Sequence, residues 1–147
     1  MRFLRVLALL VIPWLAHAEP LPFSPEQVGE AKVIYVDFWA SWCVPCRRSF
    51  PWLNRMQAKY GDRGFTIIGV NLDLRKEDAE KFLANYPATF PLVFDPQGEL
   101  ASRYQLQGMP SAVLMDERGN ALARHIGFME TNKDAYEQEI VQLLEEQ

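Results

Sequence analysis

Two stretches of the chain are almost wholly apolar and β-branched, and they set the expected core. Residues 32–40 (KVIYVDFWA) carry one acidic interruption, Asp37, in a run that otherwise reads as a strand buried on both faces. Residues 65–72 (FTIIGVNL) repeat the pattern. Between them, periodic apolar positions predict a helix from the Cys43–Cys46 segment to about Tyr60. Pro51 falls inside it and is expected to kink it, and Gly61 and Gly64 are expected to end it. Ala79, Phe82, Leu83 and Tyr86 stand at helical spacing within 76–86. A short strand is expected at 90–94, a short helix at 98–104 and a strand at 111–115. Asp116-Glu117-Arg118-Gly119-Asn120 is a hairpin turn leading into a strand at 121–126. A last helix over 132–146 puts Tyr136, Ile140, Leu143 and Leu144 on its inner face. One helical turn is expected after Ser24, with Ser24 as N-cap and Pro25 at the first helical position. Strands alternating with helices, closed by a hairpin and a helix, predict an α/β sandwich around a mixed sheet.

The amino-terminal end follows a different rule. Met1-Arg2-Phe3-Leu4-Arg5 is basic, Val6 to Leu15 is apolar, and Ala16-His17-Ala18 is a small-x-small cleavage site. Residues 1–18 are therefore expected to be a cleaved secretory signal, and 19–147 a single domain. The apolar run falls short of the roughly 20 residues of a spanning helix, so no stable membrane anchor is expected. The alternative, an uncleaved anchor, stays open at this point. Loss of Arg2 and Arg5 takes 15 Lys+Arg against 19 Asp+Glu to 13 against 19, a formal charge of −6. That balance argues against a nucleic-acid partner, which needs a basic face. Export implies an oxidising, periplasmic location, where a dithiol stays reduced only if something keeps reducing it.

Trp42-Cys43-Val44-Pro45-Cys46 carries the candidate chemistry, because Cys43 and Cys46 are the 2 cysteines of the 147 residues. Any intramolecular disulfide joins these two. Closing so small a loop stabilises little, since that contribution grows with loop length. The pair is better explained as a centre cycling between dithiol and disulfide. A strand that hands Cys43 to a helix start exposes it to the free N–H groups and positive dipole end there, which favour thiolate over thiol. Cys43 is expected to be the exposed nucleophile and Cys46, one turn in, the resolving thiol. Pro45 is tolerated in the first helical turn. Three other readings compete with this one. A zinc half-site lacks further ligands beyond His125, and no Pro-x-x-x-Thr/Ser-x-x-Cys peroxidase pattern precedes either cysteine. A purely structural bridge remains the third.

The segment from Val36 to Cys46 (VDFWASWCVPC) resembles the active-site segment of thioredoxins position by position. Pro51, Gly108-Met109-Pro110-Ser111 and Gly127 match further family positions. The stretch between Asn71 and Gln107 is longer than in a plain thioredoxin and resembles the insertion of the TlpA/ResA branch of exported thiol–disulfide oxidoreductases. The resemblance implies a thioredoxin fold: a central mixed sheet sandwiched by helices, with an extra βα insertion. It implies that Asp37, beneath the dithiol, has a raised pKa and accepts the Cys46 proton. It implies a cis bond before Pro110, whose loop brings the Met109 backbone close to Cys43 to pair with a substrate chain. Trp42 is expected to form an apolar wall beside Cys43 and Trp39 to pack beneath the motif. Phe38, Phe128 and Met109 are candidates for an apolar docking surface. Arg47 and Arg48 either favour the thiolate or form a solvated helix face.

Two departures from the family pattern stand out. Thioredoxin pairs its buried aspartate with a lysine on the neighbouring strand, whereas Ile68-Gly69-Val70 offers none. Members that serve cytochrome c maturation carry a glutamate soon after the second cysteine, where this chain has Ser49. The expected function is an exported oxidoreductase reducing protein disulfides, with no metal and no organic cofactor. A membrane redox protein of the DsbD type is its implied electron donor. A dithiol oxidase of the same fold and a non-catalytic polypeptide-binding module are the rivals.

Overall fold

The computed structural model describes residues 21–147, so the signal expected at 1–18 lies outside the described residues. The elements in order are α1 (Pro25–Val28), β1 (Val33–Trp39), α2 (Val44–Tyr60), β2 (Phe65–Asn71), α3 (Lys76–Asn85), β3 (Leu92–Phe94), α4 (Glu99–Arg103), β4 (Ser111–Asp116), β5 (Ala121–Ile126) and α5 (Lys133–Glu146). Single 3-10 turns at Gly61–Arg63 and Glu130–Asn132 precede β2 and α5. The strands form one mixed sheet in the order β3-β2-β1-β4-β5. β1 pairs in parallel with β2 and antiparallel with β4, and so lies at its centre. All seven residues of β1 and all seven of β2 are buried, as strands covered on both faces must be.

Strand alternation sorts the core into two layers. Val33, Tyr35 and Trp39 face α2 and α5, packing with Phe50, Trp52, Leu53, Met56, Ile140, Leu143 and Leu144. Ile34, Val36 and Phe38 face the other way, onto Phe23, Val28, Tyr104 and the α4 segment. Asp37 takes the parity of Tyr35 and Trp39, which is the layer holding Cys43 and Cys46.

Several boundaries move inward from expectation for local reasons. The strand expected at 90–94 begins at Leu92, because Pro91 has no N–H for the ladder; its carbonyl instead accepts from Gly69 N–H at 2.9 Å. The helix expected through Tyr86 stops at Asn85, since the residue before Pro87 is pushed out of the helical region (φ −129°, ψ 74°). Leu72 lies outside β2, and Asn132, expected to open the last helix, instead ends a 3-10 turn before α5 begins at Lys133. The short helix expected at 98–104 narrows to Glu99–Arg103. Its start is tied to Asp95, whose carboxylate accepts from the N–H groups of Glu99, Leu100 and Ala101 at 2.8–3.1 Å. Ser24 starts α1, its carbonyl accepting from Gln27 and Val28 N–H while its own N–H donates to Gln27 Oε1 at 2.9 Å.

Candidate active site

β1 ends at Trp39, and the chain needs only a short turn before α2 begins at Val44. Cys43 N–H donates to Ala40 C=O at 3.1 Å and closes that turn. Cys43 becomes the N-cap residue of α2, extended at φ −80°, ψ 100°, with Pro45 in the first turn where its missing N–H costs nothing. Cys46 lies one turn further on, and Cys43 and Cys46 are joined in a disulfide with Cα atoms 5.4 Å apart. Cys43 is 4 % exposed and Cys46 0 %, which corrects the expectation of an open nucleophile. Cys43 is nonetheless the less deeply buried residue of the two. α2 runs on through Pro51 without interruption.

Asp37 is 2 % exposed, and its Oδ2 has no hydrogen-bond partner. Burial alone pushes its carboxyl well above the ordinary carboxylate range, because the charged form loses its water. Its register partner on β2 is Gly69, so no cation stands where thioredoxin has a lysine. The nearby Tyr35 phenol is also raised well above its ordinary value, first by burial and then by Asp37.

The peptide bond between Met109 and Pro110 is cis, as the resemblance implied. Pro110 is buried at the start of β4, and its carbonyl accepts from Gly127 N–H at 2.7 Å. Met109 is half-buried and packs against the cluster containing both cysteines. Trp42 is 66 % exposed, standing free beside the disulfide, while Trp39 is fully buried between Phe50 and Phe82. Phe38 is no part of a docking surface: it is fully buried in the opposite layer against Tyr104. Phe128 is largely buried too, against Trp52. Arg47 and Arg48 are both exposed. Ser49 is buried, and its hydroxyl donates to the Cys46 carbonyl at 3.1 Å. Among the described residues, no group of three or more His, Cys, Asp or Glu is gathered to hold a metal ion.

Sequence reasoning missed one cluster. Asp73 is 4 % exposed and accepts from Ser41 N–H at 2.9 Å, Ser41 Oγ–H at 2.8 Å and Asn71 Nδ2 at 2.8 Å. The signal was present as Asn71 and Asp73, two polar residues flanking Leu72 where a buried strand ends, at the carboxyl edge where α/β sheets build their sites.

A cysteine pair at the amino end of the first long helix, behind the central strand of such a sheet and beside a cis-proline loop, defines a thioredoxin-fold protein with a CxxC redox centre. The chain belongs to the Redoxin family, which it matches over residues 15–140, and its relatives set it in the TlpA/ResA-like group. It is similar to the thiol-disulfide oxidoreductase ResA of Geobacillus kaustophilus, at 34% identity over 88 residues, 60% of this chain and 51% of that protein. The thioredoxin-like protein YneN of Bacillus subtilis is 29% identical over 109 residues, 72% of this chain and 63% of its own. The chain spans about half the length of the ResA proteins it matches. Among solved structures, a candidate thiol:disulfide interchange protein DsbE of Chlorobium tepidum is 50% identical with a TM-score of 0.75, over 78% of this chain and 82% of that one. StoA of Bacillus subtilis aligns at 26% identity and TM-score 0.64, over 74% of this chain and 82% of its own.

Proposed function

We propose that this chain is an exported thiol–disulfide oxidoreductase that reduces disulfides in protein substrates. The observation that carries the reading is the Cys43–Cys46 disulfide itself, placed at the amino end of α2 on the same sheet face as the buried Asp37, whose Oδ2 has no hydrogen-bond partner. In the reduced protein the Cys43 thiolate attacks one sulfur of a substrate disulfide, and the other leaves as a thiolate that takes a proton from solvent. Asp37, having released its own proton to solvent, then accepts the proton of Cys46 as that thiol attacks Cys43 sulfur. That step releases the second substrate sulfur and closes the Cys43–Cys46 bond. Two electrons pass from dithiol to substrate, with no metal and no organic cofactor.

A polypeptide substrate is supported by where apolar surface is left open. Among the described residues, the large hydrophobic side chains that stay exposed are Trp42, Val44, Leu74, Ile126 and Met129. All five follow or end strands at one edge of the sheet, the edge that carries the disulfide. Met109 sits half-buried at the same edge, just before β4, and the reading assigns its backbone to pairing with an extended chain, since Pro110 C=O is already taken by Gly127 N–H. No helix among the described residues is long and apolar enough to cross a membrane, and the apolar leader with its small-x-small site supports export to the periplasm. In that compartment a reductant needs recharging, which the reading assigns to a membrane donor of the DsbD type.

Trapping tests the reading. A Cys46→Ala variant lacks the resolving thiol and is expected to accumulate mixed disulfides between Cys43 and periplasmic proteins; finding none rules the mechanism out. The same apolar edge favours one second reading, a binder of unfolded chains. A Cys43→Ser/Cys46→Ser variant keeps its activity under that reading and loses all of it under ours.

A further inference from the structure

The turn that delivers Cys43 is held from outside its own segment. Ala40 is fully buried and Cys43 nearly so, while Trp42 between them swings into solvent. Ser41 is the residue by which this turn is anchored. Its N–H and hydroxyl both donate to Asp73, which stands 32 residues away in the loop leaving β2. Asp73 is itself fixed: Asn71 Nδ2 donates to the same oxygen that Ser41 N–H reaches, and Asp73 N–H donates to Asn71 Oδ1 at 3.1 Å. Asn71 is fully buried, with its backbone carbonyl accepting from Asp95 N–H at 2.8 Å. Leu72 N–H donates to Trp39 C=O at 2.9 Å and ties the two loops together one residue further back.

We propose that Asp73 is a positioning residue for the dithiol, gripping Ser41 at both its donors so that Cys43 stays seated at the amino end of α2. The inference rests on the oxidoreductase reading only for its purpose; the tether exists whatever the activity. Buried carboxylates are expensive unless their lone pairs are occupied, and here the donors that occupy them come from the active-site turn and the strand end beside it. Removing Asp73 leaves the Ser41 N–H and Oγ–H without their acceptor. The turn then loosens, Cys43 spends time away from the free N–H groups of α2, and its thiolate loses stabilisation.

Asp73 also carries charge, and an anion near Cys43 disfavours the thiolate by itself. The test therefore compares variants at equal charge. Asp73→Asn keeps the tether: its oxygen takes the place that accepts from Ser41 N–H and Asn71 Nδ2, and its NH₂ donates to Ser41 Oγ. Asp73→Ala has neither charge nor tether. The measurement is the pH dependence of Cys43 alkylation by iodoacetamide in the reduced protein, with reversible glutathione exchange of the wild type followed in parallel. The Ala variant is expected to have a thiolate-to-thiol ratio lower than the Asn variant by about fivefold, the equivalent of one lost hydrogen bond. Coincident profiles for the two variants overturn the proposal. If Asp73→Ala does not fold, Ser41→Ala against wild type decides it, since that change removes the hydroxyl limb and leaves charge untouched. A fall in thiolate fraction supports the tether and an unchanged profile rejects it. Failure of the wild type to exchange with glutathione would count against the oxidoreductase reading alone, because alkylation does not depend on it.

Discussion

Asp37 and Gly69 stand side by side in the parallel β1–β2 ladder, so the register partner of the carboxyl whose Oδ2 has no hydrogen bond offers it no side chain. A Cβ at position 69 would lie 2.8 Å from Leu92 Cδ2, 3.0 Å from Phe90 Cε2 and 3.2 Å from Trp39 Nε1. The space that a lysine stem would need beside Asp37 is thus filled by the inserted β3 segment and by the indole beneath the motif. Gly69 and the insertion work together: the one makes room and the other fills it with apolar surface.

Gly69→Ala is therefore expected to destabilise the oxidised protein by about 1–3 kcal/mol, the usual cost of overpacking. Leu92 has some freedom, but Trp39 is held between Phe50 and Phe82 with ring centroids 5.0 and 4.8 Å away. Urea unfolding checks this, and a change under about 0.5 kcal/mol, the range of an ordinary surface substitution, contradicts it.

Asp37 predicts a pH dependence of stability with a definite sign. Its folded-state pKa is raised by burial, so the folded chain holds a proton that the unfolded chain releases above about pH 3.9. Stability from this group is intact below that pH and falls as pH rises towards the folded-state value, by up to about 1.4 kcal/mol per unit. Asp37→Asn removes the slope. The variant is expected to be more stable than wild type at about pH 7, with the gap closing towards about pH 4. A gap independent of pH in urea unfolding contradicts the account.

The same variant separates stability from chemistry. Without a carboxylate to receive the Cys46 proton, resolution of the mixed disulfide is expected to slow by roughly 10²–10⁴-fold, while attack by Cys43 is spared. Rapid-quench analysis of mixed-disulfide lifetime distinguishes the two steps. Equal lifetimes in variant and wild type remove Asp37 from the mechanism.

Trp42 is 66 % exposed, so Trp42→Ala is expected to change stability by no more than about 0.5 kcal/mol. If its indole meets a substrate polypeptide, efficiency towards protein disulfides falls about tenfold, an aromatic anchor's contribution of about 1.4 kcal/mol. Exchange with glutathione, too small to reach along that wall, is expected to hold. Parallel losses on both substrates contradict the assignment.

The sequence was most legible where one strong local signal decided the outcome. β5 occupies 121–126 as its turn residues predict, and the two apolar runs became the two central strands within a residue at their starts and ends. Cys43, Cys46, Asp37 and the cis-proline loop were legible because a short motif and a family resemblance name them together. What escaped depended on contacts across the fold. No local pattern says that Asp73 will meet Ser41 32 residues away, or that Phe38 and Asp37, neighbours in sequence, will face opposite layers with opposite consequences. Cys43 read as exposed because motif position does not report the depth of the turn that seats it.

The reducing direction is the central claim, and the reduction potential of the Cys43–Cys46 couple tests it most directly. Equilibration against glutathione or dithiothreitol is expected to give about −250 mV or lower, in the range of thioredoxin, which requires electrons from a membrane donor. A value near −120 mV, roughly that of a strong disulfide donor, would mean that the chain oxidises its partners, and the donor assignment would fall with the direction.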